Sequence, residues 1–476
     1  MLIRQVGLQI VTFAGGVLLA RTLAPAQFGL FGIVNVLVGI VALFGDVGLA
    51  PALIQRKTEL SERDLQVGFT LQQIATTVVV VLLWFAAPLI TSHYPKAPEG
   101  MTWLIRALAS SLYLTSWRAM SALQLERRLT YNALAWIEVI EALSYQITAV
   151  GLALLGAGTW SLVWAVLLRG VLGTGLVFAA APWRIRLGYD GSIARQMLRY
   201  GIPYQLQNVV VHAGDWMIPV LVGGALGPQA VGFVIWASSN GKKPLVLVDN
   251  VMRVAFTHFS RIQDDRAEIE RIVVRYLTYL LLPAGLWCAL LCTAGHALVG
   301  WVYAARWLPG VDALCVYAVA VCFEVAAWVV GVSLNGLGIV GHTGRVILAR
   351  TVISMLVSVP LVFAFGFVGV PLGYLVAFAV TTPAMCLGLG SGAARRLWAA
   401  IRWILAPLLA AALAGALLAR IPFSYGGLAL SVSTLVILVY AVVTWLSAPD
   451  WLVAKLRRQL AVRRGWPRLL SLGAPE

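Results

Sequence analysis

Ionisable and amide side chains recur inside otherwise apolar stretches of this 476-residue chain, and their spacing sets the chemistry they could do. Gln205, Asn208, His212 and Asp215 stand at i, i+3, i+7 and i+10. On a helix advancing 100° per residue they fall within an arc of about 80°. Lys242 and Lys243 are adjacent, with Asp249 one heptad after Lys242. Arg106, Arg118 and Arg169 lie in three further apolar stretches, Glu138 and Glu141 sit three residues apart in another, and Asp46 is the one acid between Phe28 and Ile54. A guanidinium can grip a phosphate through two parallel N–H donors, whereas an ammonium acts as a point charge. A carboxylate or imidazole at membrane depth could carry a cation or a proton, with His212 sharing a face with Asp215.

An ion at mid-bilayer costs roughly 2.5–3.5 kcal/mol on insertion scales, so each of these groups needs a cavity or a partner. The stripe on Gln205 to Asp215 implies water or protein on that side. Gln5, Gln9 and Thr12 repeat its last three positions 203 residues earlier, which is the pattern of a hydrated cleft between two halves. Hydrogen bonding between helices is the plainer use of such side chains. Lys242 and Lys243 cannot point the same way, so one is expected to face a cavity, with a Lys242–Asp249 pair as the alternative. Asn240-Gly241 before them and Pro244 after them should loosen the helix. Arg106, Arg118 and Arg169 could instead pair with Glu138 and Glu141 as buried ion pairs. Glu324 has no partner that spacing identifies.

The elements that position these groups follow from composition. Hydrophobic residues make up 61% of the chain and charged ones only 11%, against roughly 25% charged in soluble domains. Apolar runs of about 20 residues without period-2 alternation predict membrane-spanning helices rather than a barrel. The formal charge of +16 sits mostly in short loops, where it sets topology, and is not read as nucleic-acid binding. Cys288, Cys292, Cys315, Cys322 and Cys386 all fall in apolar runs without metal-ligand spacing, so they are read as packing residues. No Walker sequence or paired catalytic carboxylates appear, so the chain is expected to be neither an ATPase nor another enzyme and to need no cofactor. No cleavable signal pattern opens the chain, and its first segment is read as a retained helix.

Fourteen spans are expected, from 2–20 to 426–447. Alternate loops and the tail hold 25 Lys and Arg, and the opposite loops hold only Arg21, Lys96, Arg306 and Arg420. That bias places the rich side, and both termini, in the cytoplasm. The expected architecture is an all-α polytopic protein with a six-helix bundle at 1–181, a cytoplasmic linker at 182–199 and a second six-helix bundle at 200–394. Two extra helices at 395–447 and a basic tail at 448–476 complete it. Six spans per half place the relating axis along the membrane normal, and the tail is suited to anionic lipid.

The two halves share a turn: LAPAQFG at Leu23–Gly29 returns as LGPQAVG at Leu226–Gly232. With FGDVGLAPALIQRKTELSERDL, RVAFTHFSRIQDD and YAARWLPGVDALCVYA, these pieces resemble, in order, the polysaccharide transport family of the multidrug/oligosaccharidyl-lipid/polysaccharide flippase superfamily. The resemblance implies a flippase of the bacterial inner membrane. Such proteins carry polyprenyl-diphosphate-linked oligosaccharides outward for O-antigen, capsule or exopolysaccharide synthesis, by alternating access. On that reading Lys242, Lys243, Arg106 and Arg118 hold the diphosphate, and Gln205, Asn208, His212, Gln5 and Gln9 line the glycan path. Asp46, Asp215 and Asp249 are the carboxylates for Na+ or H+ coupling, while Arg169, Glu138 and Glu141 are structural or cavity charges. Membrane lipids and polysaccharide polymerase or assembly proteins would be its partners. A multidrug or cation exporter of the same superfamily, expected to have an acid-rich cleft, and a non-transporting assembly scaffold are the alternatives.

Overall fold

The computed structural model describes residues 2–45, 53, 61–96, 98, 100–128, 130–183, 185–212, 218–261, 266–390 and 425–447. Asp46, Asp215, the expected span 400–420 and the basic tail lie outside these residues. Among the described residues every regular element is helical, and 14 helices exceed eight residues. They are α1 (Leu2–Thr22), α2 (Pro25–Gly45), α3 (Glu62–Ser92), α4 (Met101–Arg127), α5 (Tyr131–Leu154), α6 (Trp160–Ala180) and α7 (Gly191–His212). After a π-helical turn at Ile218–Gly223 come α8 (Pro228–Gly241), α9 (Leu245–Arg261), α10 (Arg266–Val302), α11 (Val311–Gly336), α12 (Val340–Phe365), α13 (Gly369–Leu387) and α14 (Tyr425–Ser447). Among the described residues seven helical stretches are long and apolar enough to cross a membrane. Lipid offers the backbone no hydrogen-bond partner, so these apolar stretches close their N–H and C=O groups within helices.

One expected span is two helices. Pro244 has no N–H to give the Asn240 carbonyl four residues back, so the ladder stops there. That carbonyl instead accepts from the Trp287 indole N–H at 3.2 Å and from the Lys243 N–H at 3.4 Å. Lys242 and Lys243 therefore stand in a turn between α8 and α9 and not on a continuous helix. Arg350, one of the 25 bases assigned above to the alternate loops and tail, is by contrast inside a helix, in the third turn of α12.

The chain forms two compact units. The first comprises Met1–Trp236, Val302–Gly310 and Ser358–Val370. In it the opening turns of α2 and α8 cross with no side chain between them. A methyl group added at Gly29 would overlap the Pro228 carbonyl oxygen, and one added at Gly232 would overlap the Pro25 carbonyl oxygen. The two copies of the repeated turn thus touch each other through equivalent residues. Trp307 locks the crossing: it is fully buried, its indole N–H donates to the Ala20 carbonyl at 2.7 Å, and Phe28, Phe233 and Trp236 surround its ring. One acid of the SERD segment also has a structural role, because Ser61 and Asp64 form a reciprocal capping box at the start of α3.

The second unit comprises Ala237–Trp301, Val311–Val357 and Pro371–Glu476. Its core joins α9, α10 and α11 through fully buried Phe259, Val273, Leu277, Val325 and Val329.

Candidate functional site

In the second unit, three helices and the α8–α9 turn assemble a cluster of two cations, one acid and three aromatic rings. The Lys242 ammonium stands 3.8 Å from the ring centroid of Tyr374 on α13 and 5.3 Å from that of Tyr317 on α11. The two rings meet edge to face at 5.8 Å. A cation over an aromatic face gains about 0.5–2 kcal/mol, more where water is excluded, so the rings steady a charge that hydrocarbon would reject. The Tyr374 hydroxyl lies within hydrogen-bonding reach of the Glu324 carboxylate, and Arg350 interacts with the same carboxylate electrostatically. The Arg350 guanidinium also lies 4.3 Å over Phe378, one turn after Tyr374. One Glu324 oxygen, Oε2, is buried with no hydrogen-bond partner. Lys243 is half-buried, and Asp249 is exposed on α9.

In the first unit, α4, α5 and α6 bring three of the expected charges together. Glu141 is 2% exposed and takes Arg118 on Oε1 and Arg169 on Oε2, the latter at 3.4 Å. The arginines keep much of their surface open: 31% of the Arg118 side chain and 53% of Arg169 are exposed. Gly173 makes the space, since a methyl group there would sit on Glu141 Oε1 and Arg118 Nη1. Glu138, one turn away, is exposed and stays outside the cluster. Arg106 is separate as well. Its guanidinium lies 5.2 Å from Trp84 and 5.0 Å from Trp103, with Nε donating to the Trp84 carbonyl at 3.2 Å.

The amide stripe is only partly visible. Gln205 is buried and donates to the Leu43 carbonyl of α2 at 2.6 Å, tying α7 to α2. Beside this contact a cavity of about 400 Å³ is lined by Leu43, Gln72, Thr76, Thr115 and Ser116. Gln9 is exposed on α1; Gln5, Asn208 and His212 lie on helices, but their side chains are outside the described set. Arg350, Tyr317 and Tyr374 escaped the reading from spacing alone. The signal for them is the i, i+7 pair Tyr317/Glu324 and the i, i+4 pair Tyr374/Phe378 on adjoining apolar helices.

The described residues form an all-helical membrane protein with clustered charges in both of its compact units, the layout of a polytopic transporter. Solved structures of that class share its fold. The Lipid II flippase MurJ in an inward closed conformation superposes with a TM-score of 0.75 at 14% identity, covering 94% of this chain and 99% of that one. An inward-facing multidrug resistance MATE family transporter of the MOP superfamily gives a TM-score of 0.62 at 16% identity, covering 83% and 96%. The chain belongs to the polysaccharide biosynthesis protein family, whose profile matches residues 18–312. It is 28% identical over 307 residues to the succinoglycan biosynthesis transport protein ExoT of Rhizobium meliloti (strain 1021), covering 63% of this chain and 60% of that protein. It is 24% identical over 279 residues to the teichuronic acid biosynthesis protein TuaB of Bacillus subtilis (strain 168), covering 58% and 57%. The matched region spans less than two thirds of either relative.

Proposed function

We propose that this protein is a flippase that carries polyprenyl-diphosphate-linked oligosaccharides across the bacterial inner membrane for polysaccharide synthesis, and is not an enzyme. The observation that carries the reading is the Lys242–Arg350 cluster: two cations steadied by aromatic rings, among apolar helices that hold one acid, Glu324. A helical membrane protein tolerates such charges where they meet a substrate or a water-filled path, and the excess of bases suits a diphosphate. The family supplies the biosynthetic setting, and ExoT, named as a transport protein, is the relative that supports movement over synthesis. The same excess of bases disfavours a cation exporter, although the fold is shared.

In this scheme Lys242, Lys243 and Arg350 receive the diphosphate, while the lipid tail remains in the bilayer. Arg118 and Arg169 offer a second cationic station in the first unit. The path opens alternately to the two sides of the membrane, with both termini cytoplasmic as the charge bias implies. Where a Na+ or H+ gradient drives return, Asp46, Asp215 and Asp249 are the candidate carboxylates. Membrane lipids and polysaccharide assembly proteins are the expected neighbours.

The test is replacement of Lys242 and Lys243 by Gln in the native host, with polysaccharide export and membrane abundance measured together. Loss of export at normal abundance is the expected outcome, with the lipid-linked precursor accumulating inside. Normal export would remove this cluster from the mechanism. Native mass spectrometry of gently extracted protein tests the substrate class, since a co-purifying polyprenyl-diphosphate glycan is expected.

A further inference from the structure

A second cavity, of about 560 Å³, opens at one rim of the first unit, and none of the clustered charges lines it. It lies where α3 begins, α4 ends and the linker leaves α6, the rim that the charge bias assigns to the cytoplasm. Its wall includes Glu62, Gln66, Gln124, Trp183 and Arg186. The wall is built rather than frayed. The Trp183 ring meets Phe69 edge to face at 5.4 Å and packs on the core formed by Leu53, Val67 and Met120. The linker is pinned to α3 twice: the Gly188 N–H donates to Thr70 Oγ1 at 3.0 Å, and Arg63 Nη2 donates to the Tyr189 carbonyl at 3.0 Å.

Two wall residues hold N–H donors that are buried and have no hydrogen-bond partner: Gln124 Nε2 and Trp183 Nε1. Buried donors are seldom left unmade, because a native fold has to carry the cost. A ligand rich in acceptor oxygens would relieve both. Arg186 adds a cation suited to an anionic oxygen, and Glu62 adds an anion on the same wall. The volume suits a small polar group.

We propose that this cavity binds the zwitterionic phosphoethanolamine headgroup of a membrane phospholipid, independently of whatever the protein transports. The phosphate meets Gln124, Trp183 and Arg186, and the primary amine meets Glu62. The cavity's place at the membrane rim lets the acyl chains remain in the bilayer, which favours a lipid over a soluble phosphoamine as the source.

Native mass spectrometry of the full chain, delipidated and titrated with phosphatidylethanolamine or phosphatidylglycerol, tests the assignment. Wild type should retain one phosphatidylethanolamine in preference to phosphatidylglycerol. Arg186→Gln should weaken that retention about tenfold, as expected for loss of a charge-assisted contact. Glu62→Gln should keep a lipid but lose the preference. Gln124→Leu removes an unmet donor without removing volume, so lipid-free protein should melt at or above the wild-type temperature while the lipid-dependent rise in melting is lost; this separates binding from folding. Unchanged retention in Arg186→Gln and Gln124→Leu would overturn the proposal. A preference for phosphatidylglycerol, or displacement of the lipid by soluble phosphoethanolamine at equal concentration, would overturn the headgroup or the lipid assignment respectively.

Discussion

Replacing Gly29 or Gly232 by Ala should force apart the crossing of α2 and α8. The added carbon would lie roughly 1.5 Å inside ordinary van der Waals separation from a backbone carbonyl of the opposite helix. Backbone cannot rotate away as a side chain can, so the helices themselves must move. Overpacking of a tight site costs about 1–3 kcal/mol, and a backbone-to-backbone contact belongs at the upper end. The stronger expectation concerns the double variant. The two clashes lie on either side of one crossing, so the separation that admits the first methyl also admits much of the second. The double variant should therefore lose less than the sum of the singles, by about 1–2 kcal/mol, as is usual for residues in direct contact. Unfolding of such a protein is read as an apparent midpoint, compared at one heating rate. The assay is the melting of detergent-solubilised protein followed by fluorescence-detected size exclusion. Singles that melt like wild type, or a double that shows the full sum, would refute the contact.

Glu141→Gln should lower the melting midpoint by the equivalent of about 1–3 kcal/mol, less than the ~3–5 typical of a fully buried pair because Arg169 stays half exposed; the Glu141→Gln/Arg118→Gln double should recover part of the loss. Tyr374→Phe keeps the ring under Lys242 but removes the hydroxyl near Glu324, so it should alter export less than Arg350→Gln does, measured as surface polysaccharide per unit of protein. In the linker, the Asp190 carboxylate is held below the usual carboxylate range, chiefly by the Ser192 hydroxyl and also by the Ile193 and Ser192 N–H groups. Its contribution to the first turn of α7 is then fully present above about pH 3.9 and is lost as pH falls through the lower folded value. Hydrogen exchange across residues 191–195 should rise at that acid edge in wild type, and Asp190→Asn should remove the dependence while keeping the cap.

What could be read from the chain alone was whatever local chemistry or the bilayer imposes. The helical spans were legible because hydrocarbon forces apolar backbone into helices. A loosening near Pro244 was legible because proline lacks an N–H, although the full break into two helices and its capping by Trp287 were not, since that residue lies a helix away. The repeated turn was legible for a reason visible only in three dimensions: Gly29 and Gly232 must both stay bare where they cross. Arg350 was counted with the loop bases although the expected span 340–364 already contained it, and the helix Val340–Phe365 matches that span. The company of Glu324 was hidden for a more general reason. Helices buried on most sides, such as α11, carry little periodic signal, so nothing local marks which face meets Tyr374 and Arg350.

The charges gathered in the two units bear on function. In the first unit Glu141 stands with Arg118 and Arg169; in the second Glu324 interacts with Arg350, and Lys242 lies over the ring of Tyr374, whose hydroxyl neighbours Glu324. A matched pair would suffice to make a buried charge tolerable, and an apolar pair of similar volume would often serve stability as well. The second arginine on Glu141 lowers stability unless an anion meets it during the working cycle. A protein that only spanned the membrane would gain nothing from keeping it. One that receives a diphosphate can use the acid to orient the cations while the substrate is absent, and can meet the remaining positive charge with phosphate oxygens when it is present. This is why neutralising one cation should cost transport while sparing the fold, and why neutralising the acid should do the reverse.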